Sequence, residues 1–317
     1  MNKLFTHTDL DGVGCAIIAK LVYGDEIDIS FCDYNEVDEK VGKCQPNNYD
    51  HIDITDISVG EKLGKSIDEN YSNQVNLYDH HATAKDLDKY SWAVVKVNDE
   101  GTGLMTCGTE IYYNHIGQYI DKEYRLAVES FVKYVTLWDT WRWKEKNSGL
   151  AGANAKKINT LFGIYGREKF IKWAIDHIKS GVFPNFTVAD LSILEAKQNE
   201  IFRYIDEKDN QYIKRKDFAG RVFGVVFTEN YISELGNALC ERHPELAYAV
   251  IIDIGNGNVS YRTIRDDINL GKDIASLCDG GGHAKAAGSE FGKIIAYDVI
   301  DKLFNEIISR ILPLLKW

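Results

Sequence analysis

Residues 3–22 read KLFTHTDLDGVGCAIIAKLV. The stretch opens with an apolar run, Lys3–Thr6, suited to a strand. It then turns through Thr6-His7-Thr8-Asp9-Leu10-Asp11-Gly12 and continues as a helical pattern over Val13–Val22. Strand, polar turn and helix in that order make the first half of a crossover unit. The following hundred residues repeat the alternation, with strands predicted at Ile27–Phe31, Asp50–Ile54, Val75–Tyr78 and Ala93–Val97 and helices at Thr102–Ile116 and Lys122–Trp138. The pattern predicts an α/β fold whose N-terminal part is a doubly wound, mostly parallel sheet. In such sheets ligands bind beyond the carboxyl ends of the strands, and the residues there are mostly Asp and His.

From about Asn154 to Tyr212 the chain reads as helices only, ending in a polar connecting helix, Glu195–Gln211, with a boundary near Gln211. Beyond it, strands at Arg221–Thr228, Tyr248–Ile254 and Val259–Thr263 alternate with helices at Ile232–Cys240, Gly271–Leu277 and Tyr297–Leu314, giving a smaller α/β domain. Lys214-Arg215-Lys216 reads as a solvated turn.

The 317 residues, 44% of them hydrophobic and 27% charged, suit two globular domains with cores of their own. No apolar run reaches the roughly 20 residues of a membrane span, and Met1–His7 has no secretory pattern; a cytoplasmic location is expected. Cys15, Cys32, Cys44, Cys107, Cys240 and Cys278 form no C-x-x-C pair and read as reduced packing residues. The net charge of −11 argues against a grip on long nucleic acid, which wants a basic face. From Ile213 onward 13 Lys+Arg face 14 Asp+Glu, so 24 against 34 remain in residues 1–212, where the acidity resides.

Taken singly, Asp9, Asp11 or Asp56 is explained as a helix cap, His80 and His81 as loop residues, and Asp139 as a salt-bridged acid. Together they present Asp or His at three successive strand ends on one sheet edge: His7, Asp9 and Asp11; then Asp53 and Asp56; then Asp79, His80 and His81. Carboxylates crowded in this way repel one another unless cations neutralise them. Oxygen-rich ligation with imidazole and no thiolate favours Mn²⁺ or Mg²⁺.

HTDLDG, TDIS, YDHHAT, WDTW and GGGHAKAAG, in this order and over nearly the whole chain, resemble the DHH/DHHA1 phosphoesterases, and most of all their B-type nanoRNase (oligoribonuclease) branch. The resemblance implies a metal-binding catalytic domain over residues 1–185, a helical linker over 186–212 and a substrate-binding DHHA1 domain over 213–317. It implies two divalent ions, Mn²⁺ first among them, one held by His7, Asp9 and Asp56 and the other by Asp11, Asp56, His80 and Asp139. Asp79 would support His80, and His81 would face the phosphate. In the second domain Arg262 and the segment Gly280, Gly281, Gly282 and His283 would hold the substrate, with Ala284–Gly288 expected at a helix start whose N–H groups cradle phosphate. Arg265 and Lys285 are weaker candidates, better read as surface charges. The expected activity is two-metal hydrolysis of short oligonucleotides to nucleoside monophosphates, with a short oligonucleotide or dinucleotide as the expected partner. Cyclic or linear dinucleotides, 3′,5′-bisphosphate nucleotides and single-stranded DNA are alternative substrates, and a non-catalytic nucleotide-binding module is the alternative of another class. No membrane partner is expected, and a homodimer is left open.

Overall fold

The computed structural model describes residues 1–291 together with 301, 302 and 305. It divides into two compact units, one over Met1–Leu194 and one from Glu195 onward.

In the first unit, β1 (Asn2–Thr6), β2 (Asp28–Phe31), β3 (His51–Thr55), β4 (Val75–Asp79) and β5 (Ala93–Val95) pair in the order β2-β1-β3-β4-β5. Every pairing is parallel. The helices are α1 (Leu10–Tyr23), α2 (Val37–Lys43), α3 (Glu61–Tyr71), α4 (Gly108–Ile116), α5 (Arg125–Asp139), α6 (Gly149–Tyr165) and α7 (Arg167–Lys179). Side chains alternate across β1: Leu4 packs with α1, α4 and α5, and Phe5 packs with α2 and α3 on the other face. Parallel strands are covered on both faces, which is why they read as continuous apolar runs. Val13 and Cys15–Ala19 on α1 are fully buried, each large aliphatic contributing roughly 1.5–3 kcal/mol. The strand order reverses between β1 and β3, and a sheet of this kind opens its ligand crevice at such a point.

α8 (Val188–Asp209) contains the division between the units. The second unit holds β6 (Ile213–Lys216), β7 (Val222–Phe227), β8 (Tyr248–Asp253), β9 (Asn258–Arg262), β10 (Gly281–Gly282) and β11 (Ala286–Glu290), ordered β10-β11-β9-β8-β7-β6 among the described residues. Only β7 and β8 run parallel. α9 (Ile232–Arg242) covers one face with Leu235 and Leu239, and the short α10 (Leu270–Asp273) belongs to the cluster on the other.

Four expectations need correction. The helix expected over Thr102–Ile116 starts only at Gly108, because Asp99 accepts hydrogen bonds from Thr102 N and Oγ1, both at 2.8 Å, and closes a turn there. Lys214-Arg215-Lys216 belongs to the edge strand β6, exposed along its length, so no apolar alternation marks it. Gly271–Leu277 breaks into α10 and a 3₁₀ turn, Ala275–Cys278. Ala284–Gly288 leads into a strand, not a helix: β10 and β11 form a hairpin with Gly281 paired to Gly288. The helix expected at Tyr297–Leu314 lies, apart from 301, 302 and 305, outside the described residues. All six cysteines are free. Among the described residues no helix is long and apolar enough to cross a membrane.

Candidate metal centre

The site grows from the ends of β1, β3 and β4. Thr55 Oγ1 donates to Thr6 Oγ1, and Thr6 Oγ1 donates to Gly12 O, both at 2.9 Å, tying the ends of β1 and β3 to the start of α1. Gly12 is required at this turn: a Cβ there would stand 2.2 Å from His7 O. Asp9 caps α1, its Oδ1 accepting from Asp11 N and Gly12 N at 3.1 Å. The cap leaves Asp9 Oδ2 to face His7 Nδ1 at 3.2 Å. One residue therefore serves as both helix cap and candidate ligand.

Asp11 is 2% exposed. Its Oδ2 accepts from Gly108 N at 2.6 Å and its Oδ1 from Thr109 N at 2.8 Å, so the amino end of α4 holds the charge. Asp56 follows β3 directly with φ at 55°, the left-handed region, which costs a non-glycine residue roughly 1–3 kcal/mol. The twist turns a 1% exposed carboxylate into the same space. Gly108 makes room for it, since a Cβ on Gly108 would come within 2.6 Å of Asp56 Cβ. Gly108→Ala should accordingly cost about 1–3 kcal/mol and depress activity more than stability. Thermal melts beside initial rates will show this, and a variant with wild-type rates would contradict the packing argument.

β4 ends in Asp79, whose Oδ1 accepts from His80 N at 2.7 Å, His81 N at 3.2 Å and His81 Nδ1 at 2.7 Å. Asp79 thus fixes the His81 ring, and reaches His80 through that residue's backbone alone. His80 Nε2 lies 3.2 Å from Asp56 Oδ1 and 3.7 Å from both Asp11 Oδ2 and Asp139 Oδ2. Asp139 arrives from the last residue of α5. Trp141 beside it is 59% exposed. Asp53, also at this strand, is turned into the core, where Tyr112 Oη donates to it at 2.6 Å.

The electrostatics follow from the crowding. Burial, then Asp11 and Asp9, push the Asp56 carboxyl well above its ordinary range. Burial and the same two neighbours push Asp139 up to about 8. Burial would also raise Asp9, but His7 and the Gly12 N–H outweigh it and lower the pKa. His7 is raised by its contact with Asp9 and His81 by its hydrogen bond to Asp79. Asp56 Oδ2, Asp79 Oδ2 and His7 Nδ1 are buried and make no hydrogen bond. Buried acceptors left without donors are costly, and cations would satisfy these. Three overlapping groups fit: His7, Asp9 and Asp56; Asp11, His80 and Asp139; Asp56, Asp79, His80 and His81, each with ligand atoms within 4.8 Å of one another.

In the second unit, Arg262 on β9 donates from Nη2 to Ser233 Oγ at 3.0 Å and from Nη1 to Tyr261 O at 2.8 Å. Burial lowers its pKa, with Glu234 opposing. Gly236 of α9 leaves space for it; a Cβ there would meet Arg262 Cγ at 2.6 Å. Gly281, Gly282 and His283 are exposed in the β10–β11 hairpin, Gly280 half-buried before it, and His283 N donates to Ala286 O at 2.8 Å. Arg265 pairs with Asp267, and Lys285 pairs with Asp266 at 2.7 Å, as surface charges.

The sequence reading missed Gly108 and Thr109, whose contact with Asp11 spans 97 residues and more. It also missed Tyr34, an exposed aromatic beyond the end of β2, the one early strand end not inspected for ligands. Its Oη is 3.1 Å from His81 Nε2 and its ring centroid 4.8 Å from that of His7.

No family model matches the chain. Oligoribonuclease NrnB of Bacillus subtilis (strain 168) is 32% identical to it over 295 residues, 91% of this chain and 72% of that protein. Among solved structures, exonuclease RecJ bound to manganese matches with a TM-score of 0.54 at 12% identity, over 94% of this chain and 87% of that one. The pGpG-specific phosphodiesterase PggH from Vibrio cholerae matches at 0.51 and 14% identity, over 98% and 99%. At such identities the two structures speak for the fold alone. The likeness to NrnB, extending over both units, carries the assignment: the chain belongs to the DHH/DHHA1 phosphoesterase family and is a hydrolase.

Proposed function

We propose that the chain hydrolyses short oligonucleotides to nucleoside monophosphates with the help of two divalent cations, Mn²⁺ first among them. The observation that carries this is the position of Asp56, buried and shared between the group around His7 and the group around His80. In this reading His7, Asp9 and Asp56 hold one ion, and Asp11, Asp56, His80 and Asp139 the other. Asp79, with its unpartnered Oδ2, lies close enough to the second set to join it. A divalent cation supplies Lewis acidity, lowering the pKa of water from 15.7 to about 7 and offsetting charge on phosphate oxygens.

The chain's own groups do the rest. The amino end of α4 holds the Asp11 carboxylate in place through Gly108 N and Thr109 N before any ion arrives, so little reorganisation is needed. Asp79 accepts at Nδ1 of His81, and Nε2 meets Tyr34 Oη at 3.1 Å, so the ring is fixed at both nitrogens beside the place a phosphate would take. Arg262, Gly280, Gly281, Gly282 and His283 are proposed as substrate contacts on the strength of the family resemblance. The hairpin at Gly281–Gly282 offers backbone N–H groups in place of the helix start expected from sequence.

NrnB's name supports an oligonucleotide substrate, and the acidity of residues 1–212 favours a short one over a long polymer bound by counterion release. Labelled dimers, pentamers and long single strands, each with Mn²⁺, should be cleaved with the highest kcat/KM for the shortest. Preference for strands beyond about ten nucleotides, where polymer contacts dominate, would overturn the substrate class. Dinucleotide binding without hydrolysis would overturn the enzymatic reading of this chain's site.

A further inference from the structure

Beside the metal centre, on the face of the sheet covered by α2 and α3, lies a cleft of about 350 Å³. Its walls come from three consecutive strand ends: Tyr34 and Val37 after β2, Ser58 and Val59 after β3, and Thr83 and Leu87 after β4. Ser58 stands two residues beyond Asp56, and Thr83 two beyond His81, so the cleft is continuous with the centre in the chain. Tyr34 joins the two in space, 61% exposed, with its hydroxyl on His81 Nε2 and its ring against His7.

The lining is selective. It includes no Lys or Arg, and its ionisable side chains are the carboxylates of Asp38, Glu61 and Asp86. Asp38 Oδ1 accepts from Gly60 N at 2.8 Å and Glu61 lies 3.7 Å from Lys89 Nζ, whereas Asp86 has no partner among the described residues. Such a cleft repels phosphate. It suits a neutral group with an aromatic face and N–H or O–H donors on its edge, and its volume is at the lower end for small-ligand sites.

We infer that this cleft is a nucleoside subsite, with the base stacked on Tyr34 and donors of the base or ribose meeting Asp38 and Asp86 while the adjoining phosphate lies at the metal centre. The inference rests on the proposed phosphodiesterase activity and adds which part of the substrate is read. Tyr34 is then a specificity residue in contact with substrate, and its hydroxyl also positions His81.

Adenosine and ribose 5-phosphate, each titrated into the full chain in EDTA and followed by saturation-transfer NMR, separate the two readings, because no turnover is involved. Adenosine should bind through its base protons, and ribose 5-phosphate should give no comparable signal. Tyr34→Ala should weaken adenosine about 5-fold or more, the loss of one base stack. Tyr34→Phe, which keeps the ring face, should retain the binding, and Asp86→Leu at an exposed position should weaken it about 3-fold. With dinucleotides and Mn²⁺, Tyr34→Ala should raise KM more for base-bearing than for abasic dimers. Absence of adenosine binding, or binding indifferent to Tyr34→Ala and Asp86→Leu in folded variants, overturns the subsite. Absence of Mn²⁺-dependent hydrolysis by the wild type counts against the phosphodiesterase reading alone.

Discussion

Asp56→Asn should reduce turnover of a short oligonucleotide by at least ~10²–10³-fold at saturating Mn²⁺, the scale on which one charge-stabilising group acts, and should raise the melting temperature of the chain in EDTA. Both effects come from one carboxylate. It lies 3.2 Å from His80 and 3.9 Å from His7, and among the described residues it is the carboxylate that belongs to the groups around both. Asparagine preserves its volume and one acceptor oxygen but not its charge. Without cations that charge is a liability, since Asp56 is buried among Asp9 and Asp11 and its pKa is forced upward. The neutral amide relieves the repulsion. A folded variant with near-normal turnover would refute the shared-ligand assignment, and an unaltered melt in EDTA would refute the electrostatic argument.

In EDTA, thermal stability should fall as pH rises from about 4 to about 8, and Mn²⁺ should restore it with a gain that grows over the same range. The sign follows from proton counting. Asp56 and Asp139 have folded pKa values above their unfolded ones, near 3.9, so the folded chain binds more protons across this window and loses stability as they leave. His7 and His81, raised by Asp9 and Asp79, act in the same direction, their contribution present below the unfolded pKa and lost as pH rises through the folded one. Asp9, with a lowered pKa, works oppositely but only at more acid pH. Cations bind the deprotonated carboxylates, so their effect is greatest where EDTA is most damaging. At a thousandfold excess over Kd the gain is about 4 kcal/mol. Melts at half-unit steps, with chelator and with Mn²⁺, test this; a flat or rising profile in EDTA would show that the cluster is not strained.

The parallel sheet was readable because its strands, covered on both faces, leave unbroken apolar runs, and most candidate ligand positions because they lie at or just beyond the ends of β1, β3 and β4, whereas Asp139 closes α5. What escaped depends on distance in the chain or on weak local pattern. Nothing near Gly108 announces that its amide meets Asp11, nor does sequence reveal that it must lack a side chain to admit Asp56. The turn at Asp99–Gly103 is a short polar interruption that a helical reading of Thr102–Ile116 passed over. Ala284–Gly288 carries only small side chains apart from Lys285 and no large apolar one to mark either period, so its pairing with β9 is evident only in three dimensions. Tyr34 is a single exposed aromatic, and exposure is not legible from one sequence.

β6 has a consequence for how molecules of this chain meet. It borders the second sheet with three consecutive cations, Lys214, Arg215 and Lys216, and their backbone ladder toward solvent is unclaimed by a further strand among the described residues. A second molecule approaching along that border would set like charges against like, which discourages fibre-like growth of the sheet. The basic residues of this strand would thus guard the open border of the sheet against pairing with its own copy.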